Sequence, residues 1–523
     1  MSGPIVVIGA GVNGLACAVE LARAGKKVLV LERRDVLGGL SARRTFGDGF
    51  VVPGIRHDTS EIRKDLVDSL GLSANVGRDS ASAGPSARGL SLLSEHTPIF
   101  ASEQGGPGLV LHVSPDAARE EIARRSPADA RAYADLRGQL GRLRPVLEPL
   151  LDRAPPPLLP RGLGDAFDMG LMGLKLRGLG REDMIETLRA LPMCVADFLR
   201  ERLQTELLSS TLALPAVLGD FTGPWSPGTA AMFILREARL VPGVRGGPAA
   251  VVDALVTTLK AYGGETRTGA RVKQIVVEAE RACAVVLESG ERIAADAVVA
   301  ACNPRHALTD LLPPMSLDVR GMEAARTIRT RGTAAKVHLG LRDYPKWAGR
   351  PGERFERVRI GPHLDDLERA FDATKYRRLP DVPVLDLSFP TVAEPAGDKH
   401  VASILVCATP FNLERGWDAG ARAALLESVL TVLESHAPGV RELVVASEVL
   451  SPVDLQDELG ATGGSIHHVE RALDQMILMR PARPFARYAT PIEGLYLGSS
   501  GCHPGPGVTL APGTLAAHAL MGK

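Results

Sequence analysis

The chain has 523 residues, 45% hydrophobic and 23% charged, too long for one domain and ordinary in composition for a globular protein. Its 61 basic and 61 acidic side chains cancel, which argues against a nucleic-acid partner gripped by bulk charge. Six scattered cysteines without a C-x-x-C pair exclude disulfide-reductase chemistry and a thiolate metal site, and the absence of any run of about 18 apolar residues excludes a membrane span.

The amino end enters its first strand directly, with no basic and apolar leader, so a cytoplasmic protein is expected. That strand, over 5–8, runs into Gly9-Ala10-Gly11-Val12-Asn13-Gly14. A helix over 15–24, a strand over 27–31 and Glu32 follow. This order is the dinucleotide-binding βαβ fingerprint. Gly9 allows the tight turn, Gly11 lets backbone approach a pyrophosphate, and Gly14 lets the helix pack close to the sheet. The helix N-terminus offers free N–H groups to phosphate, and Glu32 can accept hydrogen bonds from ribose hydroxyls.

Next comes Glu32-Arg33-Arg34-Asp35-Val36-Leu37-Gly38-Gly39, with Arg43 and Arg44 shortly after. The glycine pair lets the backbone bend again beside the pyrophosphate, where Arg43 or Arg44 would add positive charge. The stretch with Gly47, Gly49, Pro53 and Gly54 reads as irregular backbone. Residues 115–210 carry apolar side chains at helical spacing, broken by a proline run over 154–160. The segment 162–178, rich in Gly, Leu and Met, reads as a substrate-domain helix with a glycine-rich loop. The competing reading is a mobile lid or a peripheral membrane contact.

From Gly243 the pattern changes to a helix over 249–262, strands over 265–267, 272–278 and 282–287, a turn at Ser289-Gly290 and a buried strand over 295–300. Residues 333–340 and 383–408 alternate like strands of a large mixed sheet. The final forty residues give a strand over 494–498, a loop from Gly501 to Val508 and a helix over 512–521. A second glycine-rich loop thus feeds a helix N-terminus, and the two ends of the chain are expected to meet around one ligand.

Together these segments resemble the flavin amine oxidase and phytoene desaturase superfamily, and within it the phytoene-desaturase-like branch known as pyridine nucleotide-disulfide oxidoreductase domain-containing protein 2. The similarity spans nearly the whole chain. Its specific pieces are the Gly9 to Glu32 fingerprint, Gly38-Gly39, the stretch from Gly263 to Asn303-Pro304, Gly463-Gly464-Ser465-Ile466-His467-His468 with Leu473-Asp474-Gln475 and Arg480-Pro481, and Gly494-Leu495-Tyr496-Leu497 with His503-Pro504-Gly505 and Gly507-Val508. The disulfide in the branch name does not transfer, since no redox cysteine pair exists.

The resemblance implies an α/β protein in which a Rossmann-type FAD-binding domain, discontinuous over 1–75, 240–310 and 485–523, is interleaved with an α+β substrate domain of mixed sheet plus helices over 76–239 and 311–484. It implies non-covalent FAD, with adenosine near Glu32, Arg33 and Val272 and the pyrophosphate at Gly9, Gly11 and Gly14. The flavin would lie beside Gly38 to Arg44 and the terminal loop from Gly498 through Gly507 and Val508. A thioether link to Cys502 is not expected.

The implied reaction is hydride removal from a C–C or C–N bond of an apolar small molecule, an isoprenoid or secondary metabolite, by a desaturase, dehydrogenase or oxidase. A redox-neutral isomerase is a close variant. A flavin-free, lipid-binding escort protein of the same fold is the alternative from another class, disfavoured by two intact glycine loops and Glu32. The electron acceptor stays open between oxygen, a quinone and another flavoprotein. Lys336 alternates within an apolar strand, where a charge is costly without a reason. By strand context it resembles the amine-oxidase lysine that holds a water against the flavin, the competing reading being a lysine that reaches solvent or a carboxylate. His503 is a flavin contact or a structural hydrogen-bond partner, and His57 an acid, base or substrate contact. His467 and His468 are adjacent and should point apart, so no metal is expected.

Overall fold

The computed structural model describes residues 3–73, 89–112, 114–156 and 162–522. The second half of the proline run, 157–161, lies outside the described residues. Five parallel strands form the first sheet, in the order Leu495–Leu497, Ala297–Ala300, Ile5–Ile8, Val28–Leu31, Glu265–Arg267. Its central strands, Ile5–Ile8 and Ala297–Ala300, are buried along their whole length, which is why they read as continuous apolar runs rather than alternations.

Helix Val12–Arg23 follows the first strand, and helix Ala511–Met521, at the other end of the chain, packs along it. Glycine makes that approach possible. A Cβ at Gly513 would lie 1.8 Å from the Asn13 carbonyl oxygen, and one at Gly14 would lie 2.0 Å from that of Gly9. A three-stranded antiparallel sheet, Val272–Glu278, Arg281–Leu287 and Arg292–Ala294, flanks this layer.

The second large sheet has seven strands, in the order Val444–Leu450, Ala335–Leu341, His400–Val406, Leu385–Ser388, Arg357–Ile360, Ile99–Ser102, Leu109–Leu111. All neighbours are antiparallel except Arg357–Ile360 with Ile99–Ser102. One face packs on helix Ala419–His436 through Val337, Leu339, Val358 and Ile404. Strand alternation therefore turns Lys336, His338, Arg357 and Arg359 to the opposite face. That face lies beneath a helical layer that includes Pro127–Asp152, Glu206–Val217 and Thr229–Glu237.

The stretch after Arg44 departs from the irregular backbone expected of it. Arg44–Phe46 and Phe50–Val52 pair as a hairpin, with Gly47 and Gly49 at positive φ in the turn. Phe46, Phe50 and Val52 are buried against Val401 and Ala446 of the seven-stranded sheet. Three-residue strands are too short to show a period, and their burial comes from residues some 350 positions away. Among the described residues no helix is long and apolar enough to cross a membrane.

Candidate active site

A cleft of about 570 Å³ runs along the carboxyl ends of the parallel strands. Gly9, Gly11, Glu32, Arg33, Gly38, Gly39, Val272, Gly507 and Val508 all line it. Gly9 adopts φ +101°, Gly38 +114° and Gly507 +116°, a region that side chains disfavour. Gly11 is extended at φ −68°, so its need for glycine is spatial: a Cβ there would meet no protein atom within 4 Å and would occupy the cleft. Gly39 stacks on Gly11, and the Gly38 N–H donates to the Ala10 carbonyl at 2.8 Å.

The Glu32 carboxylate is buried, accepting from the Ala10 N–H at 2.9 Å and the Arg34 N–H at 3.1 Å. Each oxygen keeps a lone pair for a ribose hydroxyl. Asn13, at the start of the first helix, donates from Nδ2 to Ser500 Oγ at 2.9 Å and so ties the two glycine loops together. Its Oδ1 is buried without a partner, as is Nδ1 of His468 on the facing wall. A cradle of bare backbone, an acidic ribose acceptor and unsatisfied polar atoms fit a dinucleotide.

Other expected cofactor contacts lie elsewhere. Arg43 pairs with Asp253 at 2.6 Å and faces a different cavity, while Arg44 forks onto Glu448 and reaches Glu458 at 2.9 Å. Neither adds charge to the pyrophosphate site, because each spends it on a carboxylate that the sequence places far away. Arg33 lines the cleft but donates to the carbonyls of Gln456 and Asp457. Gly498 packs between Ala516 and Val299, behind the cleft. Cys302, rather than Cys502, lines it, and burial pushes both thiols up to about 12. Among the described residues, Arg56 is the arginine of the cleft that pairs with no carboxylate, its Nη1 donating to the Ile466 carbonyl at 3.3 Å and lying 3.4 Å from His467 Nδ1; nothing in the sequence singled it out.

The next residue, His57, lines a second cavity of about 720 Å³ between the seven-stranded sheet and its helical layer. Leu93, Ile99, Leu111, Leu212, Leu240 and Val244 give it apolar walls, Arg236, Arg357 and Arg359 form a charged floor, and Arg119, Arg137, Arg245, Glu237, Glu356 and Glu394 also line it. His57 Nε2 is 2.9 Å from Asp386 Oδ2, and its Nδ1 is 3.1 Å from Lys336 Nζ. Burial, then the neighbouring Lys336 and Arg357, lower its pKa to about 3, so the ring is neutral. Nε2–H then donates to Asp386, and Nδ1 accepts from Lys336.

Burial likewise holds Lys336 well below the ordinary amine range, against the pull of Asp386. Lys336 lines neither cavity, and its Nζ is engaged by His57 Nδ1. Asp386 stays ionised: burial raises its pKa, but Arg357 at 3.4 Å and Arg359 at 3.2 Å outweigh that and hold it low. Asp58 is likewise held low against its burial, first by Arg357 at 3.7 Å and then by Arg236 at 2.7 Å. His503 is buried, with Nδ1 3.2 Å from the Ile477 carbonyl, and touches neither cavity. Asp386, Arg357 and Arg359 were missed, although a charge inside Leu385-Asp386-Leu387 carries the same signal as Lys336.

A dinucleotide cleft built across both chain ends, opening beside a cavity in a mixed-sheet domain, defines an FAD-dependent oxidoreductase. The NAD(P)-binding Rossmann-like domain model matches residues 7–60, and the flavin containing amine oxidoreductase model matches residues 175–425. The chain is 28% identical to the mouse pyridine nucleotide-disulfide oxidoreductase domain-containing protein 2, over 99% of this chain and 93% of that protein. It is 27% identical to a lycopene-forming phytoene desaturase of Pantoea ananas, over 97% of this chain and 96% of the relative. Its fold is similar to that of cyclohexylamine oxidase from Brevibacterium oxydans, with a TM-score of 0.57 at 15% identity, over 99% of this chain and 98% of that one. Over residues 175–425 the chain is thus similar to flavin containing amine oxidoreductases, and along nearly its whole length to phytoene desaturases.

Proposed function

We propose that this flavoenzyme withdraws hydride from a C–C or C–N bond of a largely apolar small molecule held in the 720 Å³ cavity. One observation carries the reading: consecutive residues, Arg56 and His57, line the cofactor cleft and the apolar-walled cavity respectively, so the two spaces meet across a single turn of chain. Bound FAD supplies the hydride-accepting ring, held by Gly9, Gly11, Glu32, Gly38, Gly39, Val272, Gly507 and Val508. The remaining contribution of the protein is placement and dryness.

The leucine, isoleucine and valine walls accept an apolar body and exclude water. His57 serves as a substrate contact rather than as an acid or base, since both ring nitrogens are engaged and its pKa is far below neutrality. Lys336 and Asp386 act as positioning residues that fix its tautomer. His503 serves the terminal loop structurally. The named substrates of the relatives, phytoene and cyclohexylamine, represent the two bond types.

The test is anaerobic mixing of the purified yellow protein with phytoene in micelles or with cyclohexylamine, reading loss of flavin absorbance. Mass spectrometry of any co-purified ligand runs alongside. Bleaching by the alkene assigns the C–C reaction, and bleaching by the amine the C–N reaction. Silence with both, together with a retained ligand that is wholly polar, would overturn the apolar assignment.

A further inference from the structure

Arg56 is the one guanidinium of the cofactor cleft, among the described residues, that is bound to neither a carboxylate nor a chain of exposed carbonyls. Arg271 of the same lining pairs with Glu288, and Arg33 caps a helix end. Arg56 makes no ion pair. Its Nη1 lies 3.3 Å from the Ile466 carbonyl and 3.4 Å from His467 Nδ1, Nε is buried without a partner, and Nη2 makes no hydrogen bond. His467 Nε2 is 2.8 Å from the Leu218 carbonyl and donates to it, which leaves Nδ1 as the acceptor for Arg56. Burial, then Arg471 and Arg56, keep that imidazole far below its ordinary pKa and therefore neutral. Among the described residues the arginine's side-chain hydrogen bonds thus go to neutral acceptors, and the carboxylates of Glu61 and Asp58 act on it through space without bonding to it.

Its place in the cleft says what the guanidinium charge can meet. On the flavin reading above, Glu32 and Val272 mark the adenosine end and Gly9 and Gly11 the middle, and all four line the cleft, while Gly14 packs behind it against Gly9 and Ala301. Arg56 donates its backbone N–H to the Leu40 carbonyl at 3.3 Å, just past the Gly38-Gly39 turn, and shares the lining with Ile466, His468 and Val508; on that reading, that turn and the terminal loop hold the isoalloxazine. A hydride brings two electrons and one proton, so its arrival leaves the ring one unit more negative and the substrate one unit more positive. A fixed, desolvated cation beside the ring favours that state over the oxidised one.

We propose that Arg56, positioned by His467, supplies the positive charge that favours reduced flavin and so sets how readily this enzyme takes hydride. The proposal rests on the flavin reading above and adds to it a residue and a physical role. Three proteins carry the test: wild type, Arg56→Met and Arg56→Lys, each isolated with FAD. Midpoint potentials are read against reference dyes, and sulfite affinity is read by bleaching, because sulfite addition likewise leaves negative charge on the ring.

The expected result for Arg56→Met is sulfite binding about tenfold weaker and a two-electron potential about 30 mV lower, which is a tenfold change in equilibrium constant. Arg56→Lys should regain most of both. Unchanged potential and sulfite affinity in Arg56→Met, or an Arg56→Lys protein no better than Arg56→Met, overturn the proposal. If Arg56→Met is isolated without FAD, Arg56→Gln takes its place under the same thresholds, and loss of FAD from both overturns the tuning role in favour of cofactor retention. A wild-type protein that takes up no FAD would instead sink the underlying flavin assignment.

Discussion

The two cavities of this protein are built on opposite plans. The cofactor cleft is shaped by backbone: glycines at Gly9, Gly11, Gly38 and Gly507 line it and make room, and the first helix starts there at Val12. The substrate cavity is shaped by side chains, with leucines above and a floor where Asp58 and Asp386 hold Arg236, Arg357 and Arg359 in place. A ligand met by backbone leaves a compact mark in sequence, because glycine is needed at fixed spacings. A ligand met by side chains from distant strands leaves a scattered one.

The sharpest way to break this contrast is Gly11→Val. Gly11 has an ordinary extended φ and open space around its missing Cβ, so the variant should fold with the melting temperature of the apo wild type. It should nevertheless be colourless, having lost FAD affinity by at least about a hundredfold, roughly 2.7 kcal/mol. A yellow Gly11→Val protein would mean that the cleft is not read through its backbone.

Asp386→Ala probes the other plan. It leaves Arg357, Arg359 and His57 without their shared buried carboxylate and should cost about 3–5 kcal/mol of stability in a denaturant titration. The flavin spectrum of the surviving folded protein should be unaltered, since Asp386 lines no part of the cofactor cleft. A loss under about 1 kcal/mol would show that the floor is not a coupled charge network.

Glu32→Gln should weaken FAD binding by about 1.5–3 kcal/mol, the worth of hydrogen bonds to a charged acceptor, as measured by release of the cofactor on dilution. Binding equal to wild type would remove the carboxylate from the ribose site.

Acid lability probes the buried side chains together. His57 sits at about 3 and His468 and His503 at about 4, all lowered first by burial from an ordinary 6.5. Below pH 6.5 the unfolded chain binds protons that the folded one refuses, so stability falls as pH drops from 6.5 toward 4. The slope is up to about 1.4 kcal/mol per pH unit for each histidine. His503→Asn should make the melting temperature less steep over that interval. An unchanged slope would mean that His503 is not held neutral.

Much of the cofactor half was legible beforehand because its signals are local. Gly9 to Glu32 encode strand, turn, helix and acceptor within two dozen residues, and Gly507-Val508 mark the terminal loop. The arginines misled for a physical reason. Arg43 and Arg44 look alike in sequence and lie close to the glycine pair, yet their charges answer Asp253, Glu448 and Glu458, which only the fold brings near. Lys336 was conspicuous as a charge in an apolar strand, but strand alternation names a face and not a partner. Its partner, His57, lies 279 positions earlier.

What the amino-acid order by itself determined, then, is the nucleotide cradle: turn glycines, buried apolar strands and a terminal acidic residue depend on chain neighbours alone. Tertiary structure decided which charges are spent and which are free. Arg56 and Arg44 are indistinguishable as letters, yet Arg44 is quenched by two glutamates while Arg56 keeps its charge, held by a neutral histidine more than four hundred residues away. The cause is that electrostatic pairing depends on distance through space in a low-dielectric interior, a quantity set when the two sheets close on one another and not before.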